Sequence, residues 1–169
     1  MTINYDTNVV PLATAKEPKL TIEMVPSPCW HQNARFYNED FWDIIRYHIY
    51  GLAGYTCQIC GKKCSEKSGE LECHEKFHYN EELGIQTIVG LQALCYWCHA
   101  VKHYDRSKGK GVDETLLFAH LCRINDATPE EGVRYLNKKR DECRRRAKLK
   151  WAVDFSYLKE RFLIPAKNS

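Results

Sequence analysis

The apolar residues of this chain recur at helical spacing in several segments, and these segments predict its helices. The first is "NEDFWDIIRYHIYGLAG" (38–54), in which Asn38 is a candidate N-cap and glycine residues end the helix. Its apolar face is predicted to comprise Phe41, Ile44, Ile45, His48 and Ile49.

Two further helices are predicted downstream. One is "DETLLFAHLCRI" (113–124), where His120 lies on the apolar face and is expected in the core. The other begins in "DATPEEGVRYL", with Thr128 as N-cap and Glu131 completing a capping box, and it is expected to extend to about Trp151. The tail "WAVDFSYLKERFLIP" has apolar residues at helical spacing and is expected to pack back on the chain.

The pattern divides the chain into three parts. Residues 1–37 are predicted to form an extended arm because prolines interrupt any helix there. Residues 38–112 are predicted to form a small core with its leading helix, and 113–169 a C-terminal helical region. The expected fold class is α+β, mostly helical.

Composition narrows the class of protein. The chain is 44% hydrophobic and 12% aromatic, which is typical of a globular protein rather than a disordered one. No apolar run approaches the ~20 residues that span a bilayer, and the N-terminus lacks a basic start followed by an apolar block. We therefore expect a cytoplasmic protein with no membrane partner.

The net charge of +3 does not by itself indicate a nucleic-acid partner, but the charge is unevenly distributed. The basic stripe "KKRDECRRRAKLK" (138–150) carries eight basic residues against two acidic ones. Such a stripe is either a phosphate-binding surface or a solvated helix face. "HYDRSKGKG" (103–111) is expected to be a flexible basic loop that adds to this surface. The candidate nucleic-acid-binding residues are Lys102, Arg106, Lys108, Lys110, Lys138, Lys139, Arg140, Arg144, Arg145 and Arg146.

Four of the cysteines form two CxxC pairs, a spacing typical of metal ligands. The chain has nine cysteines, an odd number, which in a reducing compartment favours metal binding over disulfides. "CQIC" and "CYWC" together supply four thiolates for a closed tetrahedral zinc site. The predicted structural zinc ligands are Cys57, Cys60, Cys95 and Cys98.

A second group of potential ligands remains. "CYWCHAVKH" places His99 and His103 at i and i+4, so in a helix both face one metal. With Cys73 they would form an open three-ligand site for a second divalent metal, or a closed site with His74 or His78 as the fourth ligand. The neighbouring Glu75 is another candidate ligand or base.

Three stretches resemble the HNH endonuclease family: "LECHE" (71–75), "GLQALC" (90–95) and "CYWCH" (95–99). That family has a ββα-metal core, often stabilised by a four-cysteine zinc, and the flanking residues look like an uncharacterised bacterial and phage branch. The resemblance is specific over about residues 41–104. It implies a metal-dependent endonuclease that hydrolyses nucleic-acid phosphodiesters, with DNA favoured. By this resemblance His74 is the general base, His99 is a metal ligand and His103 a further ligand.

Two positions depart from the family's catalytic pattern. The asparagine that orients the base falls on Gly90, and Asn80 or Gln86 would have to replace it. The acidic or histidine ligand falls on Cys73, whose thiolate suits zinc better than Mg²⁺. The alternative function is a non-catalytic, zinc-stabilised HNH-like module that binds nucleic acid or a host protein, for example as a phage inhibitor.

Overall fold

The computed structural model describes residues 18–29, 33–37, 39–66 and 69–162. The fold is α+β, about half helical, with a small three-stranded sheet. The predicted cap Asn38 and residues 1–17 of the predicted arm lie outside the described residues. In chain order the elements are a 3-10 turn (Ser27–Cys29), α1 (Ala34–Tyr37), α2 (Glu39–Leu52), β1 (Leu71–Asn80), β2 (Ile85–Cys95), α3 (Tyr96–Lys102), α4 (Tyr104–Gly109), α5 (Glu114–Asn125), α6 (Pro129–Arg146), β3 (Ala152–Asp154) and α7 (Ser156–Phe162).

Strands β1 and β2 form a long antiparallel hairpin that leads directly into α3. The register pairs Leu71 with Cys95 and His74 with Gln92, and it shifts after Lys76. Because successive side chains of a strand point to opposite faces, His74 and its neighbour Cys73 lie on opposite faces of the hairpin.

The sheet lies between two apolar clusters, and consecutive residues of β2 enter different ones. Leu94 packs in the first cluster with α3, α5 and α6, whereas Ala93 packs in the second with α2 and α7. Each cluster thus uses one face of the same hairpin.

Helix α2 matches the first predicted helix but buries a different face from the one its pattern predicts. Ile45 and Ile49 are buried in the second cluster. Phe41, Ile44 and His48 are exposed, although the periodicity assigned them to the same face. Trp42 and Tyr50 also pack in this cluster, so the buried face is rotated about the helix axis relative to the predicted one.

Both C-terminal helices begin with a side-chain cap, and the sequence predicted the one at α6. Asp113 caps α5 by accepting hydrogen bonds from the backbone N–H groups of Thr115 and Leu116. At α6, Thr128 and Glu131 form the predicted capping box. None of the helices in the described parts of the chain has the length and apolar character needed to cross a membrane.

The last elements differ from the sequence prediction. Helix α6 ends at Arg146 rather than near Trp151, and the indole Nε1 of Trp151 donates to the carbonyl of Arg146. The tail begins as β3, parallel to the start of β2, and becomes helical only at α7. A three-residue strand leaves too short a pattern to be recognised in the sequence.

The segment "HYDRSKGKG" is a short helix and its C-terminal turn rather than a flexible loop. Tyr104 at the start of α4 is fully buried in the first cluster. Ser107 is also buried, and its hydroxyl donates to the carbonyl of Ala100. These contacts anchor the segment against α3.

Residues 20–24, which we call the N-terminal strap, cross the first cluster. The backbone of Leu20 makes two hydrogen bonds with the side chain of Asn125, and the N–H of Ile22 donates to the Tyr135 hydroxyl. The N–H of Glu23 donates to the carbonyl of Lys102 at 2.8 Å. The strap therefore joins α3, α5 and α6.

Candidate metal centres

The four cysteines of the two CxxC pairs come together. Their ligand atoms lie within 4.8 Å of one another, and the Sγ atoms of Cys60 and Cys95 are 3.6 Å apart. Cys95 ends β2 and Cys98 lies in the first turn of α3, so the hairpin-to-helix junction supplies half of the cluster. The other pair comes from the turn that follows α2.

Four thiols this close fit a metal such as zinc better than they fit an apolar core. Hydrogen bonds from Cys95 and Cys98 lower the pKa of Cys57, and donation to Cys57 raises the pKa of Cys95 to about 11. Four thiolates in one place need a cation to offset their charge, and zinc accepts four sulfur ligands in this arrangement. The donor set thus fits the predicted structural site.

Three histidines form a second group. His74 comes from β1, His99 from α3, and His103 from the junction between α3 and α4. Their ligand atoms lie within 4.8 Å of one another, and the ring centroids are 4.8–5.4 Å apart. His103 keeps the i, i+4 relation because its N–H bonds to the carbonyl of His99 at 3.2 Å.

Two carboxylates orient these histidines. Oε2 of Glu72 is 2.8 Å from Nδ1 of His99, and Oε2 of Glu23 is 2.9 Å from Nε2 of His74. An ionised carboxylate only accepts hydrogen bonds, so each contacted nitrogen carries the proton and the other ring nitrogen keeps its lone pair. Carboxylate partners of this kind accompany metal-bound histidines in many proteins.

One of the remaining ring nitrogens has no partner among the described residues. Nδ1 of His74 is buried without a hydrogen bond to any of them, in a side chain that is 0% exposed. A buried polar atom without a partner is costly, and a metal ion would satisfy it. The three-histidine group therefore fits a transition-metal ion such as zinc, which imidazole ligands suit.

The surroundings hold His74 and His103 neutral, as metal ligation requires. Burial lowers the pKa of His74, and burial with the neighbouring histidines lowers the pKa of His103 to about 2. Burial alone would raise the pKa of Glu23, but the hydrogen bond from His74 and the ion pair with Lys102 lower it to about 2.

The structure does not bring Cys73 to the helix histidines, contrary to the sequence prediction. Cys73 packs on the opposite face of the hairpin, in the cluster that contains Ile45 and Ile49. Burial and the charge of Glu75 raise the pKa of its thiol to about 12. Among the described residues His74 takes the place predicted for Cys73.

The other candidate ligands and orienting groups lie away from this site. Glu75 accepts a hydrogen bond from the backbone N–H of Ala34, and His78 is exposed. Asn80 caps the hairpin turn by accepting from the N–H of Leu83. Gln86 pairs with Tyr79 near the hairpin turn, while His74 pairs with Gln92, so neither candidate replaces the missing asparagine at Gly90.

Most of the candidate phosphate-binding residues are ion-paired within the chain. Lys102 is 4% exposed and bonds to Glu23 and Thr21, so it faces the metal site rather than solvent. The remaining pairs are Lys108–Glu114, Lys139–Glu142, Arg140–Asp105, Arg144–Asp141, Arg145–Glu81 and Arg146–Glu81. Only Arg106, Lys110 and Lys138 of the predicted set are exposed without an ion pair to another described residue.

Sequence reasoning missed both carboxylates of the histidine group. Glu72 had a signal, because it stands two residues before His74 and a strand places i and i+2 on one face. Glu23 had none, because it reaches His74 from 51 residues away through packing of the strap.

Comparison of the chain with protein-family models, with curated proteins and with solved structures finds no match.

Proposed function

We propose that this protein is an HNH-type, metal-dependent endonuclease that hydrolyses nucleic-acid phosphodiesters. One observation carries the proposal: three histidines on a β-hairpin and its following helix converge beside a four-cysteine cluster. The chain order of strand, strand and helix agrees with the ββα-metal core that the sequence resembles. The structural zinc belongs to the cysteine cluster and a second divalent ion to the histidines.

The proposed role of His74 changes from general base to metal ligand. Its ring is 0% exposed, and its Nε2 is bound to Glu23, so it has only Nδ1 to offer. His99 offers Nε2 because Glu72 occupies its Nδ1. An ion held by three protein ligands keeps a position for water and supplies Lewis-acid and water-activating chemistry.

Phosphates would be bound near the histidines by exposed cations. Arg106 and Lys110 follow His103 within α4 and its C-terminal turn, and both are exposed. Lys138 lies on the outer side of α6. We expect binding through such residues to weaken steeply with salt, because counterions compete for the phosphates.

A second candidate function is favoured by two observations. Gly90 offers no side chain to orient a reacting group, and five of the eight cations in the basic stripe are ion-paired with acidic residues of the described chain. A non-catalytic module with the same two metal sites would bind nucleic acid or a host protein without cleaving it.

The test compares wild type with a His99→Ala/His103→Ala variant, and an exposed pair, His48→Ala/His78→Ala, serves as the matched control. Mass spectrometry should count two ions in wild type and control but one in the variant. Plasmid nicking with added divalent ions should occur in wild type and control only.

Two results would contradict the nuclease. A variant that loses the second ion and still nicks DNA would remove the histidines from catalysis. A wild type that binds two ions and cleaves neither DNA nor RNA would favour the binding module.

A further inference from the structure

The carboxylate of Glu23 connects two buried groups that the sequence gives no reason to associate. Oε2 contacts Nε2 of His74 at 2.9 Å, and Oε1 forms an ion pair with Nζ of Lys102. The side chain of His74 is fully buried and that of Lys102 nearly so. A charge pair at this depth persists only when its partners are held in good geometry, because each charge gives up its hydration.

The strap backbone holds that carboxylate in place. The N–H of Glu23 bonds to the carbonyl of Lys102, so the strap is joined to the end of α3, the helix that carries His99. Two further anchors, at Leu20 and Ile22, fix the strap to α5 and α6. The position of Glu23 relative to the histidines is therefore set by backbone hydrogen bonds.

The contact also selects one tautomer of His74. The carboxylate of Glu23 accepts the Nε2–H, which leaves the lone pair on Nδ1, the buried ring atom that no described residue contacts by a hydrogen bond. Without this carboxylate the ring could turn or take the other tautomer, and Nδ1 would then carry a proton. Proton-bearing nitrogen does not bind a metal.

We infer that Glu23 is a positioning residue that holds His74 with Nδ1 toward the second metal, which makes the N-terminal strap part of the metal site. This inference rests on the three-histidine metal site of the proposed function. Coupling between metal binding and packing of the strap is reciprocal. If the packed strap strengthens metal binding, a bound metal also stabilises the packed strap. Metal binding at the histidines therefore protects residues 20–24, and loss of the Glu23 contact weakens metal binding.

The experiment measures zinc affinity of the histidine site by competition with a chromophoric chelator, on protein that retains its cysteine-bound zinc. Glu23→Gln should weaken binding by about 10–100-fold, the usual cost of removing a carboxylate partner from a metal-bound histidine. Thr21→Val is the matched control, because it removes the Thr21 hydrogen bonds to Lys102 and to Oε1 of Glu23 but leaves the contact between Oε2 and His74. Its affinity should stay within about threefold of wild type.

A second variant separates orientation from charge. Glu23→Gln leaves the buried Lys102 unpaired, so Glu23→Gln/Lys102→Met removes that charge as well. Weak binding in both variants, with the cysteine-bound zinc and the melting temperature preserved in the double variant, supports positioning. Recovery of wild-type affinity in the double variant overturns it, because Glu23 would then act only by neutralising Lys102.

Two further readouts complete the test. Long-range ¹H–¹⁵N spectra of zinc-loaded wild type should show the metal on Nδ1 of His74 and the proton on Nε2, and hydrogen exchange of residues 20–24 should slow on zinc addition. Equal affinity of Glu23→Gln and wild type overturns the inference but leaves the proposed function intact. Absence of any second zinc in wild type overturns the three-histidine site itself, and with it both proposals.

Discussion

Nε2 of His120 lies 3.3 Å from Sγ of Cys98, a ligand of the proposed structural zinc. The other ring nitrogen, Nδ1, is 3.0 Å from a guanidinium nitrogen of Arg123. Arginine can only donate, so Nδ1 accepts and Nε2–H donates to the sulfur. His120 is buried, as the sequence predicted, but it also contacts the cysteine cluster from α5.

His120→Phe should weaken zinc binding by the cysteine cluster by about tenfold, because it removes a hydrogen bond that stabilises the Cys98 thiolate. The measurement is the rate of zinc transfer to a chromophoric chelator. His78→Phe alters an exposed histidine and is the control. Equal transfer rates in the two variants would contradict the role of His120.

Cys57→Ser should destabilise the fold and abolish zinc retention at the cysteine cluster, since structural zinc sites contribute directly to folding free energy. Cys64→Ser is the matched control, because Cys64 lies in the same turn region but outside the four-sulfur group. Thermal unfolding with metal analysis checks both. A melting temperature that drops equally in the two variants would indicate lost packing rather than lost zinc.

Gly90→Asn tests the missing asparagine. Among the described residues, a Cβ at Gly90 would meet only Cδ of Lys76, at 3.7 Å, so the substitution should change stability by less than about 0.5 kcal/mol. Gly90 and Gln92, the partner of His74, stand two residues apart in β2 and share a face. If the histidines form a nuclease site, the added amide should raise the nicking rate by about tenfold or more. A stable variant with an unchanged rate would count against that geometry.

Gly84→Ala should cost at least about 2 kcal/mol of unfolding free energy. Gly84 has φ +64°, and an added Cβ would overlap the carbonyl oxygen of Lys150. Lys150 lies just before β3, the strand that pairs with β2. Gly54 has φ +56°, and no atom of the described chain lies within 4 Å of its Cβ position, so Gly54→Ala should cost only about 1 kcal/mol. Urea unfolding measures both, and equal costs would contradict the predicted overlap.

Acid should destabilise the protein through His103. Burial lowers the pKa of His103 from 6.5 to about 2, so below pH 6.5 the unfolded state binds a proton that the folded state does not. The free energy of unfolding therefore falls as pH decreases through that window, by about 1.4 kcal/mol per pH unit well below pH 6.5. Glu23 acts in the same direction between its usual 4.5 and about 2.

The measurement is urea unfolding of wild type and His103→Gln between pH 7 and pH 5. The free energy of unfolding of the variant should depend less steeply on pH, because the variant lacks the His103 imidazole and keeps every other titrating group. A metal ion bound to the histidines would make the unfolding free energy of wild type depend more steeply on pH, because metal and proton compete for the same imidazole. Parallel profiles would contradict the low pKa of His103.

Local signals in the sequence determined the features that depend on neighbouring residues. The capping box of Thr128 and Glu131 lies within four residues, and its hydrogen bonds close inside one helical turn. The i, i+4 relation of His99 and His103 is equally local, since helix geometry alone places them on one face. The two CxxC pairs predicted that the four cysteines lie together, because this spacing is typical of residues that share one metal.

Only the tertiary structure decided which other groups join the histidines. Strand register sends His74 to the α3 side and Cys73 to the α2 side, and a shift of one residue would exchange them. Glu23 arrives from the strap, and Glu81 neutralises arginines more than 60 residues further along the chain. Such contacts depend on how whole elements pack, and no pattern of a few residues encodes that packing.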